Sequence, residues 1–244
     1  MKYQKTYENS RYKELCMIGS LINSLEYVVE DLELKAIDVE YYGNGRALLR
    51  IHPYNLSEHV VSEVKSRVWG ENWNINVEEY LSTLIIGDNV IFGQGFKELY
   101  YRFKDMIVEH VIPLMKKFTV ETSRSNIEYY GALTNGSLYV FEGLKGKVKL
   151  PSFKAYATLH THPQGVCMFS HIDIEHLIHM FSEGSLLSGV VTSNCTLIAY
   201  RVGPFTLDDY EFLLDLRDNV KKKKPIIKSI KYGKKLNVRF ELKG

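Results

Sequence analysis

Between Phe96 and Phe118, apolar residues fall at Leu99, Phe103, Ile107, Val111 and Leu114, three or four residues apart, with Pro113 near the end. That spacing marks one face of a long helix. The period then changes. Ile127 to Thr134, Ser137 to Phe141 and Ala155 to His160 read as strands, divided by Asn135-Gly136 and by the stretch from Gly143 to Lys147. A helix is predicted from Ser170 to about Ser182 and strands over Leu186–Ser193 and Thr196–Arg201, joined at Asn194. A further helix is predicted over Leu207–Asn219. Helix-period and strand-period segments in this order predict an α/β domain, a sheet flanked by helices.

The first part of the chain reads as a smaller unit. Leu15, Ile18, Leu21, Ile22, Leu25 and Val28 give helical spacing over Tyr12–Glu30. Strands over Ala36–Tyr42 and Ala47–His52 follow, around Gly43-Asn44-Gly45. A helix is expected over Asn55–Arg67 with Ser57 as its cap, then a second hairpin over Leu84–Phe92 around Gly87-Asp88-Asn89. We therefore expect a small α+β domain over 1–94, the α/β domain over 95–220, and a basic linker with a terminal hairpin over 221–244, Gly233 in its turn. No internal repeat is visible.

With 244 residues, 45% of them hydrophobic, the chain is long enough for one large or two small cores. A formal charge of +2 gives no field that would make nucleic acid an obligatory partner. The three cysteines, Cys16, Cys167 and Cys195, have no CxxC pair, so neither a disulfide framework nor a cysteine metal cluster is suggested. No apolar run approaches the ~20 residues of a membrane span, and the first residues lack a basic-then-apolar signal pattern. The expectation is a soluble, cytoplasmic protein.

The stretch His160-Thr-His162-Pro163-Gln-Gly-Val-Cys-Met-Phe-Ser170-His-Ile-Asp173 carries the chemistry. Two histidines two residues apart at a strand end project from one face and can chelate one metal. Pro163 helps to stop the strand just past them. Asp173, three residues into the predicted helix, points back toward its start and can add an oxygen ligand. Two nitrogens and one oxygen, with a fourth position left to water, is the arrangement of catalytic rather than structural zinc.

Here the chain resembles a known family. His160-Thr-His162, seven residues, Ser170, two residues, Asp173 matches the signature of the JAMM/MPN+ zinc metalloproteases, and Glu128-Tyr-Tyr-Gly131-Ala-Leu133 looks like that family's upstream glutamate segment. The resemblance covers roughly residues 96 to 205. It implies an MPN/JAMM-like, cytidine-deaminase-like fold holding Zn2+ on His160, His162 and Asp173. It also implies that Glu128 is the general base that activates the attacking water and later protonates the leaving amine, and that Ser170 donates to the tetrahedral oxyanion. The implied activity is hydrolysis of an isopeptide or peptide bond at the C-terminus of a ubiquitin-like modifier or its protein conjugates. The short segment between Glu128 and His160 is closer to the prokaryotic and archaeal type than to eukaryotic deubiquitinases.

Other readings stay open at this level. Ser170-x-x-Asp173 is also a capping box, which is compatible with ligation. An HxH pair can be simple packing. Glu121 and Glu142 lie close enough in sequence to compete with Glu128. His171, His176 and His179 follow on the predicted helix, and one of them could orient a ligand. Cys167 reads as a loop residue. A non-catalytic MPN-like scaffold, or a RadC-like role with nucleic acid, are the rival functions.

Overall fold

The computed structural model describes residues 2–52, 58–68, 74–79, 91–143, 154–163, 167–223 and 236–244. In chain order these form strand β1 (Lys2–Glu8), helix α1 (Ser10–Asp31), the strands β2 (Ala36–Gly43) and β3 (Arg46–His52), helix α2 (Glu58–Val68), and strands β4 (Asn74–Glu79) and β5 (Ile91–Phe92). Helix α3 (Gln94–Met106), a π-helical turn (Ile107–Val111) and α4 (Ile112–Ser125) come next, then strands β6 (Tyr129–Thr134), β7 (Ser137–Glu142) and β8 (Ala157–Thr161). The chain continues through α5 (His171–Ser182), β9 (Leu187–Val191), β10 (Thr196–Arg201), α6 (Leu207–Lys221) and β11 (Val238–Lys243). The class is mixed α/β, as the sequence predicts.

Two compact units divide these elements: Met1–Cys16 with Lys104–Gly244, and Met17–Phe103. This differs from the expected segments 1–94, 95–220 and 221–244, and strand pairing is the reason. β1 pairs antiparallel with β7, from Lys2 opposite Glu142 to Glu8 opposite Ser137, so the start of the chain belongs to the larger sheet. β11 pairs antiparallel with β10, from Arg201 opposite Val238 to Thr196 opposite Lys243. It is an edge strand of that sheet. The other arm of the expected hairpin and Gly233 lie outside the described residues.

The larger unit holds a seven-stranded sheet in the order β1-β7-β6-β8-β9-β10-β11. β6 and β7 make a two-residue hairpin in which Asn135 and Gly136 take φ values of 49° and 74°, the paired positive values that such a turn requires. β8 runs parallel to β9 and is joined to it through α5, whereas its other neighbour, β6, is antiparallel. Helix α4 packs on the face that carries Tyr129 and Thr161: the Thr122 and Thr161 hydroxyls are 2.6 Å apart, and the Phe118 and Tyr129 rings are 5.0 Å apart. Gly131 allows this approach, since a Cβ there would lie 2.7 Å from Met115 Sδ. On the opposite face, Ile174, Leu177, Ile178 and Phe181 of α5 and Leu213 and Leu216 of α6 are buried with Val190 and Ala199. Each such side chain contributes about 1.5–3 kcal/mol when fully buried.

The expected long helix over Phe96–Phe118 begins at Gln94 and runs, through the π turn, to Ser125. Pro113 does not break it, because Pro113 falls in the first turn of α4, directly after the π turn. A proline in a first turn gives up an N–H that has no partner inside that helix. The left-handed Asn126, at φ 57°, ends α4 with its N–H on the Thr122 carbonyl.

The smaller unit carries a sheet in the order β4-β3-β2-β5. β2 and β3 form the expected hairpin, with Gly43, Asn44 and Gly45 all at positive φ. β4 is parallel to β3 and β5 is parallel to β2. Leu21, Ile22, Leu25 and Val28 of α1 are buried, as are Ile37, Val39, Leu49 and Ile51 of the hairpin. Ser57 and the Gly87-Asp88-Asn89 turn lie outside the described residues. No helix among the described residues is long and apolar enough to cross a membrane.

Candidate metal centre

Strand β8 delivers the two histidines. His160 is its penultimate residue and His162 follows its end, with the His162 N–H donating to the Val191 carbonyl at 3.1 Å and so holding it against β9. Strand alternation turns both imidazoles to one face, where their Nε2 atoms are 3.0 Å apart. Helix α5 begins above that end of β8, and Asp173 in its first turn reaches back. His160 Nε2 is 3.2 Å from Asp173 Oδ1, and His162 Nε2 is 3.6 Å from Asp173 Oδ2. The cluster thus sits at the carboxyl end of β8, the first strand of the β8-α5-β9 connection, and ligands of α/β sheets bind at that end of the strands.

Among the described residues this is the one group of three His, Cys, Asp or Glu side chains whose ligand atoms converge. The donor set fits a metal. Divalent first-row ions take nitrogen and carboxylate ligands at about 2.0–2.2 Å, which sets tetrahedral edges of roughly 3.3–3.6 Å. The Nε2–Nε2 separation of 3.0 Å and the 3.2 Å from His160 Nε2 to Asp173 Oδ1 are close to that range, and His162 Nε2 lies 3.6 Å from the other carboxylate oxygen. The His162 and Asp173 side chains keep 17% and 19% of their exposure, so the cluster is open to solvent on one side.

Ser170 and Asp173 form the capping box that the spacing allows. The Ser170 N–H donates to Asp173 Oδ2 at 2.7 Å, and the Asp173 N–H donates to Ser170 Oγ at 3.2 Å. The cap occupies one carboxylate oxygen and leaves Oδ1 toward His160. Burial would raise the Asp173 carboxyl, but hydrogen bonds from His160 and His162, the His160 charge and the Ser170 contact hold it well below the usual carboxylate range. Ser170 is exposed, and among the described residues its hydroxyl proton has no acceptor.

Glu128 stands directly before β6, half-buried, its carbonyl accepting from the Gly143 N–H at 2.7 Å. Because Tyr130 is the cross-strand partner of His160, alternation assigns Glu128 to the face that carries the histidines. Its carboxylate is outside the converged cluster and has no hydrogen-bond partner among the described residues. Glu142 is opposite Tyr129 and so belongs to the other face, under α4, and Glu121 is exposed on α4 itself. Of the three following histidines, His179 is exposed and His171 is part-exposed. His176 turns to the sheet, with Nε2 3.1 Å from the Tyr130 hydroxyl. Burial above all, with the His160 and His179 charges, pushes its imidazole down to about 4. Tyr130 escaped the sequence reading, although its period-two relation to Glu128 was a usable signal.

The cysteine expectation is overturned. Cys167, in the loop leading to Ser170, is bonded to Cys195 at the entry to β10, with Cα atoms 6.0 Å apart across a separation of 28 residues. Sequence spacing cannot show such a pair, because it depends on the α5 connection folding the loop back over the β9–β10 turn. Cys16 stays a free, buried thiol. No protein-family model, curated protein or solved structure matches this chain.

Proposed function

We propose that the chain is a zinc-dependent hydrolase of the JAMM type that cleaves an isopeptide or peptide bond at the C-terminus of a ubiquitin-like modifier. The observation that carries this reading is the convergence of His160, His162 and Asp173 at 3.0–3.6 Å at the carboxyl end of β8, with one side left open. Zinc, when bound, supplies a Lewis acid for the substrate carbonyl and makes a water acidic enough to lose its proton near pH ~7. Glu128 takes that proton and returns it to the leaving amine. The Ser170 hydroxyl, whose oxygen already accepts from the Asp173 N–H, gives its proton as a hydrogen bond to the tetrahedral oxyanion.

Zinc per chain in protein purified without added metal, beside an Asp173→Ala variant, tests the site. Near one zinc in the parent and much less in the variant is expected. Glu128→Gln is expected to keep its zinc and lose hydrolysis of modifier conjugates by roughly 10²–10⁴-fold. A parent that takes up no zinc on titration overturns the hydrolase reading. Full activity in Glu128→Gln overturns the assignment of the base alone.

A further inference from the structure

Tyr130 and His176 take no part in the chemistry proposed above, yet they join the two elements that supply its ligands. Tyr130 lies on β6 directly across from His160, and His176 lies one helical turn beyond Asp173 on α5. The Tyr130 hydroxyl is 3.1 Å from His176 Nε2, and the rings meet edge-on with centroids 6.0 Å apart. Tyr130 is only 3% exposed. Burial raises its phenol and lowers the His176 imidazole, so the contact joins a protonated phenol to a neutral ring.

Deeper on the same face, Thr158 Oγ1 donates to Ser188 Oγ at 3.0 Å. Register places Tyr130, Thr158, His160 and Ser188 on one face of β6, β8 and β9. Around Tyr130 that face is otherwise apolar, packed with Ala132, Ala155 and Met180. A buried polar row gains little net stability over apolar side chains of the same shape. What it adds is direction. Apolar contacts let a helix slide over a sheet by fractions of an ångström, whereas metal sites tolerate about 0.2 Å.

We infer that the Tyr130–His176 pair is a positioning clamp that fixes α5 over β8, setting the reach of Asp173 toward His160 and His162 and hence the affinity and geometry of the metal held there. The inference rests on the metal reading above.

The test is zinc affinity by chelator competition, together with the visible absorption of the cobalt(II)-loaded protein, in Tyr130→Phe, His176→Ala and His176→Gln. Tyr130→Phe keeps the ring and removes the hydroxyl. It is expected to lower zinc affinity roughly 10–100-fold and to change the cobalt spectrum, while the far-UV circular dichroism of the metal-free protein stays that of the parent. His176→Ala should behave alike, and the double variant should be no weaker than either single one. His176→Gln, whose amide oxygen can accept the phenol proton, should recover affinity to within about threefold of the parent. Unchanged affinity and spectrum in Tyr130→Phe and His176→Ala would overturn the clamp and leave the metal reading standing. A parent that takes up no zinc overturns both. Should Tyr130→Phe not fold, the contrast between His176→Ala and His176→Gln decides: equal weakening in the two overturns the clamp.

Discussion

His176 is held far from its ordinary protonation behaviour, and the metal-free protein should register that as a dependence of stability on pH. Its imidazole titrates at about 4 in the folded chain, against roughly 6.5 when unfolded. Between these values the unfolded chain binds a proton that the folded chain refuses, so stability present above pH ~6.5 is lost as pH falls toward 4. The difference corresponds to at most about 3 kcal/mol, and less where water reaches the ring. Urea unfolding of metal-free protein from pH 7.5 down to 4.5 should show a loss of about 2–3 kcal/mol beyond that of His176→Gln, which lacks the titrating group. Equal losses in the two proteins would mean that this histidine is not buried as described. At this scale the converging cluster was legible, because His160, His162 and Asp173 are fixed by strand and helix periods within one short segment. The partner of His176 was not. Tyr130 lies 46 residues away in sequence, and only cross-strand register brings it near.

The first turn of α5 serves two ends, since one carboxylate both caps the helix and faces the histidines. Asp173 Oδ2 takes the Ser170 N–H and also lies 3.6 Å from His162 Nε2, while Oδ1 faces His160, so the two roles are separated by changing Ser170 or the carboxylate charge rather than by oxygen atom. Ser170→Ala removes the cap acceptor for the Asp173 N–H and should cost about 1 kcal/mol of metal-free stability, with zinc affinity changed no more than about threefold. Asp173→Asn keeps an acceptor for the Ser170 N–H and should fold with a similar loss or less, but it surrenders the charged ligand and should bind zinc at least ~10-fold more weakly. Thermal unfolding with and without a chelator reads both numbers. A Ser170→Ala variant that loses zinc as severely as Asp173→Asn would show that cap and ligand cannot be divided. The start of α5 was legible in the sequence because a capping box is local chemistry. The π turn at Ile107–Val111 was not, since it leaves the apolar spacing of α3 and α4 almost unchanged. β1 was hidden for another reason: Lys2 to Glu8 is polar apart from Tyr3 and Tyr7 and shows no alternation, and its assignment to the sheet depends on β7, more than 120 residues away.

The larger unit closes its sheet with strands from the two ends of the described chain, β1 at one edge and β11 at the other. Inside it, the Cys167–Cys195 bond closes a loop containing Ser170, α5 and β9. Cys16 is a poor competitor for that pairing, because burial raises its thiol to about 11 and leaves little thiolate to attack. Chain-entropy arguments assign a closed loop of 28 residues a stabilisation of about 3–4 kcal/mol, acting through the unfolded chain. Reduction with dithiothreitol should therefore lower the urea midpoint of metal-free protein by that free energy divided by the m-value, and a Cys167→Ser/Cys195→Ser double variant should match the reduced parent and no longer respond to reductant. Metal-free protein is required, because zinc bound to the folded chain adds stability by mass action and would mask the difference. A parent whose midpoint is the same with and without dithiothreitol, and the same as that of the double variant, would show that the bond adds nothing to the folded protein in solution. A parent that responds while the double variant matches its reduced form would assign the whole effect to this pair, and would show that the segment from Cys167 to Cys195, with Ser170 in it, is held covalently in the folded protein.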